Sequence, residues 1–321
     1  MPRRSMSLSL LCWCLVVVAL LLLAGCRQPQ ADLPGAASEP AAAIAQRARL
    51  LHDDDLVGYA RASVPPEQFE RLEQAWRDGD SRWPLTELPL DDKLVPLLAA
   101  LSANDAERTL QRAFNAQLAG QAAAVRQAAH SLGLFGIQYL GSQGDYSPAQ
   151  RAHYVQLVKA LSDWATAAPL SDRKLASAAI AQLTRAARTA GIASDEAMRE
   201  AGMVGALERL APLNREFRTV LASYGLSLDE TLAGLRTGLV SERGDTATVR
   251  VQYAVAGTPV DVELPLRRVD GRWYLADMLD EVQAVLVAAD QARAARQPPV
   301  EEAAADTPDR DAQDRDKPAK P

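Results

Sequence analysis

TATVRVQYAVAGTPVDVELPL, residues 246–266, is the stretch on which the fold turns. Val249, Val251, Tyr253 and Val255 alternate with Arg250, Gln252 and Ala254. After Gly257-Thr258-Pro259, Val260, Val262, Leu264 and Leu266 alternate with Asp261 and Glu263. A period of two puts successive side chains on opposite faces, so the pattern predicts two half-buried strands joined by a tight turn. Turn signals lie on either side at Gly244-Asp245 and Asp270-Gly271. Beyond them Leu239–Glu242 and Trp273–Leu275 predict further strands. The result is a three- or four-stranded antiparallel meander with one apolar face, which helices must cover.

Upstream the apolar period is helical. Ala41–Leu51 predicts a short helix, and Asp53 is placed to cap a second that carries Leu56, Val57 and Ala60. Pro65-Pro66 ends that helix, and Pro66 suits the first turn of a third with Phe69, Leu72 and Trp76 on one face. Residues 79–92, with Trp83, Pro84 and Pro89, read as irregular. Asn104 and Glu107 resemble a capping box opening a long helix with Leu110, Phe114, Leu118, Val125 and Leu132 along one side. Gly133, Gly136, Gly141 and Gly144 read as a looser connection. Ser147-Pro148 opens a helix with Tyr154, Leu157, Leu161 and Trp164. Ser171 is placed to cap another that holds Leu175, Ala179 and Leu183 and ends at Gly191. Two more helices are expected near 195–210 and 213–224. The fold class expected is therefore α+β, with a helical body over 41–225 and a sheet region over 226–288. Pro66-Glu67-Gln68, Trp83 and Pro89–Leu94 find counterparts in Pro148-Ala149-Gln150, Trp164 and Pro169–Leu175. A duplicated helical hairpin and a coincidence of Leu- and Ala-rich helices both account for that match.

The two ends read differently from the middle. Arg3 and Arg4 precede an apolar run from Leu8 to Leu23, the layout of a secretory signal and shorter than a comfortable membrane span. It closes in Leu23-Ala24-Gly25-Cys26, which resembles the bacterial lipobox. The resemblance covers the first 26 residues. It implies that residues 1–25 are a signal peptide, that Cys26 carries a diacylglyceryl group, and that the mature chain begins there. Two or three acyl chains, at ~0.8 kcal/mol per buried methylene, hold a protein on a membrane without a spanning helix. Arg27 stands where an Asp would imply inner-membrane retention, so the family analogy implies the outer membrane, facing the periplasm. Residues 26–40, with Pro29, Pro34, Gly35 and Pro40, read as a flexible tether. Residues 289–321 hold five prolines among mixed charges and are expected to be a disordered tail.

Residues 224–279 carry a second resemblance. Tyr224-Gly225-Leu226-Ser227, Val240-Ser241-Glu242, Gly244–Val249 and Val269–Tyr274 look like the sheet of bacterial lipoproteins with a nuclear-transport-factor-two-like, or cystatin-like, domain. They cover under a fifth of the chain. The resemblance implies a curved sheet with room for a small molecule between sheet and helices, and it assigns no reaction.

The search for chemistry returns little. The three cysteines are Cys12, Cys14 and Cys26, so the chain beyond residue 26 has no disulfide and no thiol nucleophile. Net charge is −6, and no dense basic patch is interleaved with aromatics, which argues against a nucleic-acid partner. His52-Asp53-Asp54-Asp55 reads either as a hard-cation site or as a solvated helix start. Calcium loops alternate their ligands and these acids are consecutive, which favours the helix start. His130 and His153 fall within helices, at no zinc spacing. Ser171-Asp172-Arg173-Lys174 matches the S-x-x-K of penicillin-binding proteins, with Ser102-Ala103-Asn104 as S-x-N and Arg236-Thr237-Gly238 near K-T-G. The order is wrong, because the S-x-N match precedes the serine motif. Trp76, Trp83, Trp164, Tyr253 and Trp273 suit a core better than a ligand pocket. Expected, then, is a non-catalytic, membrane-anchored envelope lipoprotein without cofactor or metal. It would act on an envelope protein partner, or alternatively bind a small molecule between sheet and helices.

Overall fold

The computed structural model describes residues 36–88, 91–142 and 146–296. The expected signal peptide, Cys26, Arg27 and most of the tether lie outside them, as does the stretch from 297 to 321.

The first helices follow the proline and aspartate signals. α1 (Pro40–His52) starts on Pro40, whose missing N–H would be unpaired there in any case. α2 (Leu56–Ser63) is capped by Asp55, whose carboxylate accepts from the Gly58 amide at 2.7 Å. The expected cap, Asp53, instead closes α1. α3 (Pro66–Asp78) buries Phe69, Leu72 and Trp76 as its spacing predicts. A single 3₁₀ turn, Leu85–Glu87, follows.

The middle of the chain departs from expectation in three places. Residues 91–102 form a helix, α4 (Asp91–Ser102), which buries Leu98 and Leu101. The expected long helix is two: α5 (Ala106–Gln117) and α6 (Ala122–Ser142). The break falls at Gly120, whose φ of +75° a side-chain-bearing residue rarely adopts. No Asn104–Glu107 capping box forms. Asp105 holds the N-cap position without accepting from the helix amides, its carboxylate taking the Thr109 hydroxyl instead, while Glu107 reaches Thr184 and Arg188. Gly133, Gly136 and Gly141 are not a connection but part of α6.

α7 (Pro148–Ala167) opens on a complete capping box between Ser147 and Gln150. α8 (Arg173–Ala190) is capped by Asp172, which accepts from the Lys174 and Leu175 amides, and not by Ser171. α9 (Asp195–Ser223) spans the two helices expected separately. Its one interruption is at Gly202, with φ 69° and ψ 170°, well before the expected gap. Trp83 sits in the loop after α3 and Trp164 within α7, so the two halves of the sequence match have different surroundings.

After the short α10 (Leu228–Ala233) come β1 (Arg236–Arg243), β2 (Thr246–Val255), β3 (Thr258–Val269) and β4 (Arg272–Leu275), in sheet order β1-β2-β3-β4 and antiparallel throughout. Ala256-Gly257 and Asp270-Gly271 make two-residue turns with positive φ at both positions, the geometry that matches strand twist. β1 shifts register between Leu239 and Ser241, a bulge that leaves Val240 without an opposite residue. α11 (Ala276–Arg296) closes the fold. It runs through residues 289–296, which composition assigned to the tail. There Asp290 pairs with Arg71, Arg293 with Asp78, and Arg296 with Asp80.

The chain is thus α+β, a helical body followed by a four-stranded antiparallel sheet packed on helices. Its largest core joins α2, α3, α4, α9 and α11 around Leu72, Trp76, Trp83, Leu207 and Leu286. A second core lies between α1 and the sheet, where Ala43 and Ile44 meet Val249, Val251, Val262, Leu266 and Trp273. A third joins α7 to the far end of the sheet through Ala160, Val255 and Val260.

The His52–Asp55 stretch ties these parts together. Asp54, buried and at φ +59°, pairs with Arg215 and Arg218 of α9 at 2.8 Å each and accepts from Asn214. Arg218, equally buried, also donates to the Leu51 and His52 carbonyls and pairs with Asp229 of α10. Two buried charges are tolerated here because each is met by an opposite charge and by hydrogen bonds.

Candidate functional site

α6 and α7 form an antiparallel hairpin on the open edge of the sheet. α7 turns Leu157, Ala160 and Trp164 toward β2 and β3. Trp164 donates its indole N–H to the Tyr224 carbonyl at 2.9 Å. The opposite side of α7 takes α6, and the approach is close because α6 presents glycine. A Cβ on Gly133 would stand 2.1 Å from Ser162 Oγ, and one on Gly136 would stand 3.1 Å from Val158. The Ser162 hydroxyl donates to the Ala129 carbonyl at 3.3 Å, and Arg151 reaches the Leu140 carbonyl.

Among the described residues, α7 is the one element against which α6 packs extensively. Only Gly133 and Leu140 of its 21 residues are buried. Leu132 (69% exposed), Phe135 (65%), Leu134 (58%) and Tyr139 (49%) stand in solvent, with the Phe135 and Tyr139 rings 6.3 Å apart. Leu132, Phe135 and Tyr139 are spaced i, i+3, i+7 and share one flank of the helix. Leu161 and Tyr154 of α7 are exposed as well. Single exposed apolar residues are ordinary, whereas several within two turns of one helix mark a contact surface. α6 carries Arg126 and His130, both exposed, and no acid.

Where α7 begins, it faces a polar crevice. Gln150 donates to Asp277 of α11 at 2.6 Å, and the Tyr146 and Tyr154 rings meet edge to face. Tyr154 is pushed above the usual phenol range, first by burial and then by the charge of Glu281. Glu87 of the 3₁₀ turn keeps much of its surface in water, yet the protein packed around its carboxyl desolvates it. That desolvation, then a hydrogen bond with Glu281 and its charge, raise it to about 7. Further along α7, the His153 ring nitrogen lies 2.6 Å from the Tyr253 hydroxyl. Burial lowers the imidazole and pushes the phenol up to about 12. A neutral histidine bonded to a neutral tyrosine fits packing between helix and sheet.

The other singled-out residues fall apart in space or into structural roles. Ser102 ends α4, Ser171 precedes α8 and Arg236 begins β1. Among the described residues no hydrogen bond or ion pair joins them, and Ser102 Oγ is buried without a partner. His130 is exposed on α6. Among the described residues no three His, Cys, Asp or Glu groups converge as metal ligands. Trp76, Trp83 and Trp273 are core residues. Between sheet and helices, where a small molecule was the alternative, lie the buried side chains of the second and third cores. A cleft of about 440 Å³ lies instead between the 3₁₀ turn, α4 and the start of α9, lined by Arg82, Leu85, Asp91, Val95 and Met198.

Sequence reasoning placed Leu132 on the apolar side of its helix and did not single out Phe135 or Tyr139. The available signal was the absence of any Asp or Glu between Glu107 and Asp145. The chain matches no protein-family model, no curated protein and no solved structure. Among the described residues, no helix is long and apolar enough to cross a membrane.

Proposed function

We propose that this protein is a membrane-anchored envelope lipoprotein that works by contact rather than by catalysis, with α6 as its contact surface. The observation that carries the reading is the exposure of Leu132, Leu134, Phe135 and Tyr139 on a helix whose sole extensive support, among the described residues, is α7. Apolar surface left in water is unfavourable by about 25 cal/mol per Å², a cost that a partner removes. The anchor rests on the lipobox-like Leu23–Cys26, and the periplasmic address follows from it. The apolar packing of helices against the sheet supports a contact module over a small-molecule carrier.

The test uses the chain's own lack of thiols beyond Cys26. Single cysteines at Phe135 and, as a control, at Leu239 of β1 are exposed to a bulky hydrophilic maleimide in the native envelope. The Phe135→Cys protein is expected to label much more slowly than Leu239→Cys in the envelope and equally fast after purification in detergent. Equal labelling in the envelope would overturn the contact surface. Separately, Cys26→Ser is expected to accumulate as an unprocessed precursor, and normal processing would overturn the anchor.

A further inference from the structure

We infer that α6 lies on the lipid surface to which the chain is anchored, with Leu132, Phe135 and Tyr139 inserted among the headgroups; the inference rests on the anchor reading above and names its contact partner.

Two observations select a bilayer. The first is where the fold begins. Ala36 and Ala37 lie along the outer side of β4, where the Trp273 amide donates to the Ala37 carbonyl at 3.1 Å and Arg272 reaches the Ala36 carbonyl. β4 pairs only with Leu266–Val269 of β3. Farther along that same edge of β3, Asp261 is met by Gln156 of α7. The chain therefore enters the fold on the edge of the sheet that carries the α6–α7 hairpin. Nine residues lie between Cys26 and Ala36, ten Cα steps, so the entry point lies within about 35 Å of the lipid even at full extension.

The second observation is charge. The chain is acidic overall, yet no Asp or Glu occurs between Glu107 and Asp145, where Arg108, Arg112 and Arg126 do. All three arginines are exposed. An apolar and aromatic stripe on an acid-free helix fits the interfacial layer of a membrane that contains anionic lipid. The hairpin's one acid within its helices is Asp163 of α7, paired with Lys159 one turn away, and Glu87, Asp277 and Glu281 belong to the 3₁₀ turn and α11, which meet α7.

Surface anchoring strengthens weak docking. A short tether holds the helix at an effective concentration in the millimolar range, so a weak interfacial affinity suffices. Each of Leu132 and Phe135 moved from water to lipid is worth about tenfold or more in that equilibrium.

The experiment uses the full processed protein, reconstituted in vesicles of phosphatidylethanolamine with a minor share of phosphatidylglycerol. Single cysteines replace Leu132, Phe135, Tyr139 or Leu239 and carry an environment-sensitive fluorophore. Some lipids bear a nitroxide quencher near the headgroups. Labels at 132, 135 and 139 are expected to lose most of their fluorescence, while the label at 239, on the opposite sheet edge, keeps it. Phe135→Asp is expected to restore the signal at 132. Unquenched α6 labels, or equal quenching at 239, would overturn the docking. So would a Phe135→Cys disulfide between two copies in the vesicle, which would assign the stripe to a second chain. The mass of the purified protein reads the anchor separately: an unmodified Cys26 removes the anchor reading while the α6 labels still decide the docking.

Discussion

The side-chain amide of Gln156, on α7, meets the backbone of Asp261, on β3, as a neighbouring strand would: its Nε2 donates to the Asp261 carbonyl and its Oε1 accepts from the Asp261 amide, both at 3.0 Å. Asp261 needs such a partner because β4 is too short to reach it. An open edge invites pairing with another chain, and here one helical side chain blocks it. The Asp261 carboxylate faces the polar side of the sheet, where it takes hydrogen bonds from Arg250 and Gln252. Those bonds hold its carboxyl down at about 2.

Replacing Gln156 by Ala removes both bonds and leaves an amide and a carbonyl without partners. A stability loss of about 1–2 kcal/mol is expected from two neutral hydrogen bonds at a partly buried site. Urea denaturation measures it. Light scattering of the variant should also rise, because the β3 edge is open. An unchanged midpoint together with unchanged scattering would show that the pairing is incidental.

The Asp54–Arg218 pair makes a second, larger prediction. Asp54→Ala leaves the buried Arg218 guanidinium with Asp229 and two carbonyls, and it places Ala at a positive φ. Breaking one side of a buried pair costs roughly 3–5 kcal/mol. Asp54→Asn, which tolerates the same φ and keeps one acceptor, should recover part of that loss. Thermal unfolding of the two variants gives the order.

The hairpin predicts a compensation. Gly133→Ala puts a methyl group where Ser162 already lies, so the helices must separate, at a cost of about 1–3 kcal/mol. Ser162→Gly vacates that space, and the double variant should be more stable than Gly133→Ala alone. Amide exchange along α6 locates the effect. Additive losses in the double variant would place the strain elsewhere.

These sites differ in how plainly the sequence announces them. The four strands were legible because period-two alternation and two-residue turn signals coincide from Leu239 to Leu275, and local chemistry alone dictates such hairpins. The outward face of α6 was not. Apolar spacing at Leu118, Val125 and Leu132 shows that a helix has an apolar side, but not whether the same chain covers it. Gly133 and Gly136 suggested a loop because glycine weakens helices. They are helical because Ser162 and Val158 occupy the space that a side chain would need. Gln156 gave no signal at all, since its partner lies 105 residues away and is backbone. The three aspartates after His52 were legible as a group, but not their division into a helix end, a buried pair and a cap. That division depends on Arg215 and Arg218, more than 150 residues on.

Glu87 makes the prediction with the clearest sign. Its folded-state value of about 7 exceeds the usual 4.5 because of desolvation first and Glu281 second. Between those two values the folded protein binds the proton more tightly than the unfolded chain does, so stability must fall as pH rises from about 4.5 to about 7. Glu87→Gln removes this site and should flatten that part of the profile, making the variant the more stable protein at pH 7 to 8. Glu281→Gln should flatten it only in part, because it withdraws the like charge while the larger cause, desolvation, stays. The groups around the pair are Asp277, Tyr146, Tyr154 and Arg47. Denaturation midpoints at half-unit steps from pH 4.5 to 8 read the slope. A wild-type profile that is flat or rises through this range would show that the two carboxyls do not share a proton in the folded protein.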